Sequence, residues 1–113
     1  MNETLKAAIK QFGVPKQMDK VIEECAELIQ AILKAKDAGI IKDFGIIPPY
    51  LESNPNEVKT YHDLVDEAAD VAIMCEYLEI LLGKEKIEAR KKFKIERLKN
   101  KLADDFRKNY TLD

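Results

Sequence analysis

The chain has 113 residues, of which 46% are hydrophobic and 35% are charged, and its net charge at pH 7 is −2. This length predicts one domain, and the composition excludes a disordered chain. No apolar run is long enough to cross a bilayer, so we expect no membrane partner.

The N-terminal segment and the two cysteines bear on the compartment. Residues 1–12 lack the long apolar stretch of a signal peptide. Cys25 and Cys75 lie inside apolar helical runs, and their spacing matches no zinc-binding pattern. We therefore expect a cytoplasmic protein in which both cysteines are reduced residues of the core.

Two helices are predicted in the first third of the chain. Leu5, Ile9 and Phe12 recur at helical spacing, and Gly13 is a plausible end for this short helix. A long helix is predicted from Lys16 to about Asp37. Its predicted apolar stripe consists of Met18, Val21, Cys25, Leu28, Ile32 and Ala35.

The segment 40–60 is predicted to be an irregular excursion. Its glycine and prolines interrupt helical periodicity, yet it is too apolar for a free linker. We expect it to pack on the domain or on a partner chain. Phe44 and Tyr50 either anchor it to the core or stack on a nucleotide base.

Two more helices complete the predicted fold. The third begins at a cap on Asp63 or Thr60 and ends at Gly83, and the fourth runs from about Lys84 to Asn109. Their apolar positions are Leu64, Ala68, Val71, Cys75, Leu78 and Leu82, followed by Ile87, Ile95, Leu98, Leu102 and Phe106. This order predicts an all-α fold, an antiparallel helical bundle, in one domain over residues 1–113. A chain this small would cover its apolar surface better by self-association.

Two pairs of acidic residues interrupt the apolar runs. Glu24 and Glu27 share one helical face, and so do Glu67 and Asp70, because residues three apart in a helix are neighbours. If the two faces meet, four carboxylates converge, and their repulsion is relieved by protons or by a divalent cation. Oxygen ligands without histidine or cysteine favour Mg²⁺, with Mn²⁺ as an alternative. The single His62 is not spaced like a helical Glu-x-x-His pair, which disfavours a di-iron site.

A plainer interpretation stays open at this point. The acids would then be exposed and would form ion pairs with Lys20, Lys34 or the basic run of the fourth helix. That run, Lys84–Lys101, holds nine basic and three acidic residues. It is either a solvated face or the place where an anionic ligand binds.

The acidic residues resemble a known signature. Glu23, Glu24 and Glu27, followed by Glu67 and Asp70, are similar to the EExxE…ExxD motif of the MazG-like, all-α nucleoside triphosphate pyrophosphohydrolases. The likeness extends over roughly residues 16–102, through GVPKQMDKVIEECAELIQAI, DEAADVAIMCEYLEILLG and FKIERLKNKL. The excursion separates the two halves of the motif more widely than is usual in that family.

The resemblance implies Mg²⁺-dependent hydrolysis of a (d)NTP to a (d)NMP and pyrophosphate, a reaction suited to nucleotide-pool house-cleaning. It implies a metal site of Glu24, Glu27, Glu67 and Asp70, with Glu24 or Glu27 as general base. Glu23 would be an outer ligand or would orient water. The resemblance also implies a bundle completed by a homodimer or homotetramer.

Phosphate binding would fall to the fourth helix. Its basic residues Lys94 and Arg97 would neutralise the phosphates, although each is also typical of a solvated face.

Two other functions remain open. The chain could be a non-enzymatic helical interaction module that uses the basic residues of 84–101, although a nucleic-acid partner is disfavoured by the net negative charge and the single Phe in that run. Within the same fold, the second option is a phosphoribosyl-ATP pyrophosphohydrolase.

Overall fold

The computed structural model describes residues 2–110, and the helices account for most of them. Their bounds are Glu3–Phe12 (α1), Val14–Asp37 (α2), Pro55–Leu82 (α3) and Lys84–Tyr110 (α4), with two short strands at Ile41–Lys42 (β1) and Gly45–Ile46 (β2). The predicted all-α class is confirmed. The chain forms two compact units, one up to Tyr77 and one from Leu78 onward.

The first two helices begin and end where local chemistry requires. The side-chain oxygen of Asn2 accepts a hydrogen bond from the Leu5 N–H at 3.2 Å and caps α1. Gly13 separates α1 from α2 with φ +87°, a conformation that strains any residue with a Cβ. Pro15 lies in the first turn of α2, where its missing N–H costs nothing.

Helix α3 begins at Pro55, and the predicted starts at Asp63 or Thr60 are wrong. The side chain of Asn54 accepts from the Glu57 N–H at 2.8 Å, and that of Glu57 accepts from the Asn54 N–H at 3.0 Å. This reciprocal pair is a capping box, with proline at the first helical position. The irregular segment therefore ends at Asn54 rather than near Thr60.

Helices α2 and α3 run antiparallel in the first unit. Gln17 near the start of α2 lines a cavity with Tyr77 near the end of α3, whereas Ala31 lines another with Asp63. The core is small, and its buried apolar residues are Leu5, Val21, Ala31, Ala35, Ile40, Met74 and Tyr77.

The buried faces differ from the predicted apolar stripes. Cys25 and Cys75 are free thiols, as expected, but both are exposed, so their assignment to the core is wrong within this chain. Instead, polar Gln17, Glu24 and Thr60 are buried. Apolar residues surround much of each helix, so spacing alone did not identify the inward face.

A second apolar stripe on α2 lies on the surface. Ile22, Ala26, Ile29 and Leu33 are all exposed, and their spacing places them along one side of the helix. This stripe leaves substantial apolar surface in contact with water.

Between α2 and α3 the chain forms a minimal hairpin. Ile41 pairs with Ile46 and Lys42 with Gly45 in antiparallel register. Phe44, in the turn, and Leu51, beyond the second strand, are fully exposed. The excursion is thus ordered, but these two side chains do not anchor it within the chain.

The second unit consists of the end of α3 and all of α4. The apolar residues of α4 from Phe93 to Phe106 are exposed, namely Phe93, Ile95, Leu98, Leu102 and Phe106. Among the described residues, no helix has the length and apolarity needed to span a bilayer.

Candidate metal centre

Helix α2 turns one acidic side chain into the core of the first unit. Glu24 is only 5% exposed and lies on the same helical face as the buried residues Val21, Ala31 and Ala35. Glu27 is half-buried beside it, whereas Glu23 is exposed. A buried carboxylate is costly unless it is paired or bound to a cation, so Glu24 is not an ordinary surface acid.

Helix α3 presents two further carboxylates to the same place. Glu67 and Asp70 are half-buried and share the helical face that buries Met74 and Tyr77. Carboxylate oxygens of Glu24, Glu67 and Asp70 lie within 4.8 Å of one another. The predicted convergence of the two acidic faces is therefore present in the structure.

A second group of oxygens overlaps the first. Glu23, Glu24 and Glu27 each offer a carboxylate oxygen within 4.8 Å of the other two. Glu24 belongs to both groups and connects them. We call the five residues Glu23, Glu24, Glu27, Glu67 and Asp70 the acidic cluster.

Two oxygens of the acidic cluster lack a hydrogen-bond partner. Oε2 of Glu24 and Oε2 of Glu67 are both inaccessible to solvent, and neither accepts a hydrogen bond from any residue in the described part of the chain. Buried polar atoms in native proteins almost always have partners. Two orphaned, negatively charged oxygens from adjacent helices fit a hard divalent cation, which needs oxygen ligands.

The electrostatics of Glu67 agree with this geometry. Removal from water and the charges of Glu27, Asp70 and Glu24 raise the pKa of Glu67 above its ordinary value. Each of these effects penalises the charged form. A divalent cation would reverse this penalty, because it supplies the positive charge that the carboxylates lack.

Lys20 supplies a positive charge beside the cluster. Glu24 follows Lys20 by one turn of α2, and the ammonium of Lys20 lies 3.2 Å from Oε1 of Glu24. That hydrogen bond, together with the charges of Glu23, Glu24 and Glu27, raises the pKa of Lys20. The plainer interpretation was thus partly correct, since Lys20 is a partner, but Glu24 itself is buried.

A cavity of about 210 Å³ opens beside the acidic cluster. Acidic and amide side chains make up most of its lining, which comprises Glu27, Gln30, Ala31, Lys34, Asp63 and Glu67. Gln30 and Asp63 were not identified as site residues from the sequence. Asp63 lies one helical turn before Glu67, and this spacing was the available signal.

The predicted phosphate-binding residues belong to the second unit. Lys94 and Arg97 are both exposed on α4. The guanidinium of Arg97 lies 6.0 Å from the ring centroid of Phe93, and that of Arg90 lies 4.8 Å from the same ring. Their role in binding phosphate stays a prediction.

Comparisons of the chain with models of protein families, with curated proteins and with solved structures found no match. The likeness to MazG-like proteins therefore depends on the motif residues themselves.

Proposed function

We propose that the protein is a Mg²⁺-dependent nucleoside triphosphate pyrophosphohydrolase of the MazG-like type. The observation that supports this most strongly is the meeting of Glu24, Glu67 and Asp70, with two orphaned oxygens among them. A solvated acidic face would not leave buried carboxylate oxygens without partners.

In this proposal, Glu24, Glu27, Glu67 and Asp70 hold the cation, with Mn²⁺ as a substitute for Mg²⁺. Bound there, the cation would neutralise phosphate charge and lower the pKa of a bound water. Glu23, which is exposed, would be an outer ligand or would orient water.

The reaction adds one water across the bond between the α and β phosphates and releases a nucleoside monophosphate and pyrophosphate. Glu24 or Glu27 accepts the proton of the attacking water as general base. Positioning and charge neutralisation supply most of the rate enhancement in reactions of this type. Lys94 and Arg97 are the candidates for neutralising the phosphates.

The test is release of pyrophosphate from a panel of canonical and modified NTPs and dNTPs, with phosphoribosyl-ATP included. We expect cleavage with Mg²⁺ or Mn²⁺ and none with EDTA. Activity that is indifferent to EDTA would contradict the metal site. Cleavage of phosphoribosyl-ATP alone would select that enzyme within the same fold.

A non-enzymatic interaction module is the second candidate function. Its support is α4, whose basic and apolar side chains are both exposed. If no nucleotide is cleaved with any divalent cation, this candidate is favoured. The interaction module would be supported directly if binding of a partner molecule is lost in Lys94→Ala or Arg97→Ala but is unchanged in Glu67→Gln.

A further inference from the structure

Helix α4 carries a narrow apolar stripe in its second half. Ile95, Leu98 and Leu102 follow one another at spacings of three and four, so they lie along one side of the helix. They are 63%, 53% and 61% exposed, and we call them the α4 stripe. All of residues 91–109 are exposed, so no other described part of the chain covers this stripe.

Lysines border the α4 stripe on both sides. Helical spacing places Lys92 and Lys99 along one side of the stripe and Lys94 and Lys101 along the other. None of these four ammonium groups forms an ion pair with an acid in the described part of the chain. The stripe is therefore an apolar surface between two rows of uncompensated positive charge.

A groove in the same unit continues this pattern. Its volume is about 460 Å³, and the apolar side chains of Leu82 and Ile87 are among its lining. The other lining residues are all basic: Lys86, Arg90, Lys91 and Lys94. Because Lys94 also borders the α4 stripe, the groove and the stripe adjoin, and both combine apolar surface with cations.

The narrowness of the stripe indicates a helical partner rather than a lipid bilayer. Apolar residues at alternating spacings of three and four form the seam of a helix pair, and the residues beside the seam select the partner by charge. A helix that lies in a bilayer surface buries a broader apolar face. On α4 the lysines border the stripe directly, and Phe93 lies on the opposite side of the helix.

The charges disfavour a second copy of this chain as that partner. Two copies of α4 would bring lysine against lysine on both sides of the contact, which is costly. The exposed stripe on α2 is also a poor complement, because the positions that flank it offer one carboxylate for four lysines. Those flanking residues are Glu23, Cys25, Gln30 and Ile32.

We infer that α4 is a docking surface for an acidic amphipathic helix of a partner protein. The apolar side of that helix covers the α4 stripe, and carboxylates on its two flanks pair with the lysines. Complementary charge gives such a contact its specificity. This surface belongs to the second unit and the acidic cluster to the first, so the inference goes beyond the proposed hydrolysis and does not depend on it.

The test uses the full chain and labelled synthetic helices, in EDTA and without nucleotide. The probe is a peptide of three heptads with leucine at the two seam positions and glutamate at the flanking positions. One control peptide has lysine in place of the glutamates, and another has alanine in place of the leucines. Fluorescence anisotropy should show saturable binding of the probe at micromolar concentration, no binding of the lysine peptide, and at least about tenfold weaker binding of the alanine peptide.

Two variants of the chain test the two parts of the surface. Leu98→Ala removes an exposed apolar contact, keeps helix propensity, and should weaken binding of the probe at least about fivefold. Lys99→Glu reverses one flanking charge and should weaken it at least about tenfold. Lys10→Glu makes the same change of charge at an exposed position of α1 and should leave binding unchanged.

Several results would overturn the inference. A probe that does not bind, or glutamate and lysine peptides that bind equally, would remove its basis. A DNA oligonucleotide that binds more tightly than the probe, and equally to wild type and Leu98→Ala, would identify a nucleic-acid surface instead. A lower mass in sedimentation equilibrium for Leu98→Ala or Lys99→Glu than for wild type would assign the stripe to a contact between copies. Probe binding without any NTP cleavage would refute the proposed hydrolysis and retain the docking surface.

Discussion

The ammonium of Lys20 and the carboxylate of Glu24 form an ion pair at 3.2 Å, in which the Glu24 side chain is 7% exposed and the Lys20 side chain 51%. The pair uses Oε1 of Glu24 and leaves the buried Oε2 without a partner. Lys20 is therefore the local counter-ion of Glu24, and its charge would compete with a divalent cation bound at the proposed site.

This competition predicts the behaviour of Lys20→Met. Without metal, the variant should be less stable than wild type, because a buried carboxylate loses its counter-charge. Adding Mg²⁺ should then raise the melting temperature of the variant by more than that of wild type, since the competing charge of Lys20 is absent. Thermal melts with EDTA and with Mg²⁺ measure both effects.

The matched control is Lys6→Met, which breaks the exposed ion pair between Lys6 and Glu3 at 3.7 Å. Exposed ion pairs contribute little to the stability of the folded state, so this variant should melt at the wild-type temperature both in EDTA and in Mg²⁺. An Mg²⁺ effect in Lys20→Met no larger than that in wild type would mean that Lys20 and the cation do not compete.

The raised pKa of Glu67 predicts a pH dependence of stability in the metal-free protein. Because its pKa is higher in the folded than in the unfolded chain, the folded state binds the proton more tightly. This contribution to stability therefore grows as the pH falls through the raised pKa and is complete below the ordinary value of 4.5. The stabilisation is lost as the pH rises through the raised pKa of Glu67.

The measurement compares wild type with Glu67→Gln, which has no charge to lose. In EDTA near neutral pH the variant should melt at the higher temperature, and the difference should shrink as the pH is lowered towards about 5. The exposed loop residue Glu52 provides the control, and Glu52→Gln should show no such trend. A wild type that melts above Glu67→Gln near neutral pH in EDTA would show that this acid is stabilised by an ion pair instead.

Glu67→Gln and Asp70→Asn should both be nearly inactive. Each substitution keeps the shape of the side chain and removes a charge that the proposed cation site requires. We expect at least about a hundredfold loss of kcat for pyrophosphate release. The stabilisation of the folded protein by Mg²⁺ should shrink in parallel. Full activity in either variant would exclude that residue from the site.

The capping box of α3 should contribute measurably to stability. Asn54→Ala removes the side chain that accepts from the Glu57 N–H and should destabilise the protein by about 1 kcal/mol. Urea unfolding measures this difference. Asn56→Ala, an exposed substitution of the same type two residues later, should change stability by less than about 0.5 kcal/mol. Equal effects of the two substitutions would show that the hydrogen-bonded cap is unimportant.

The exposed stripe on α2 predicts self-association. Ile22, Ile29 and Leu33 are 67%, 60% and 53% exposed on one side of α2, and contiguous exposed apolar residues are typical of interaction surfaces. At micromolar concentration we expect sedimentation equilibrium to give a homodimer or homotetramer rather than the 12.9 kDa of one chain. Ile29→Glu should shift the distribution towards the monomer. A wild-type monomer under these conditions would refute the prediction.

The sequence by itself determined the helical class, the end of α1 at Phe12 and the placing of Glu67 and Asp70 on one face of α3. Helical spacing and helix-ending residues are local properties, and the spacing of three that joins Glu67 to Asp70 holds in any α-helix. The start of α3 was also encoded locally, in the Asn-Pro-Asn-Glu cap, but the apolar periodicity from Leu64 onward obscured it.

Only the tertiary structure decided which sides of α2 and α3 face inward. Apolar residues lie on several sides of α2, so the spacing favoured Cys25 for the core, whereas in the structure Cys25 is exposed and polar Gln17 is buried. The orphaned oxygens of Glu24 and Glu67, and the cavity lined by Gln17 and Tyr77, depend on side chains from different helices. Such relationships follow from the packing of distant segments, which the spacing within one helix does not encode.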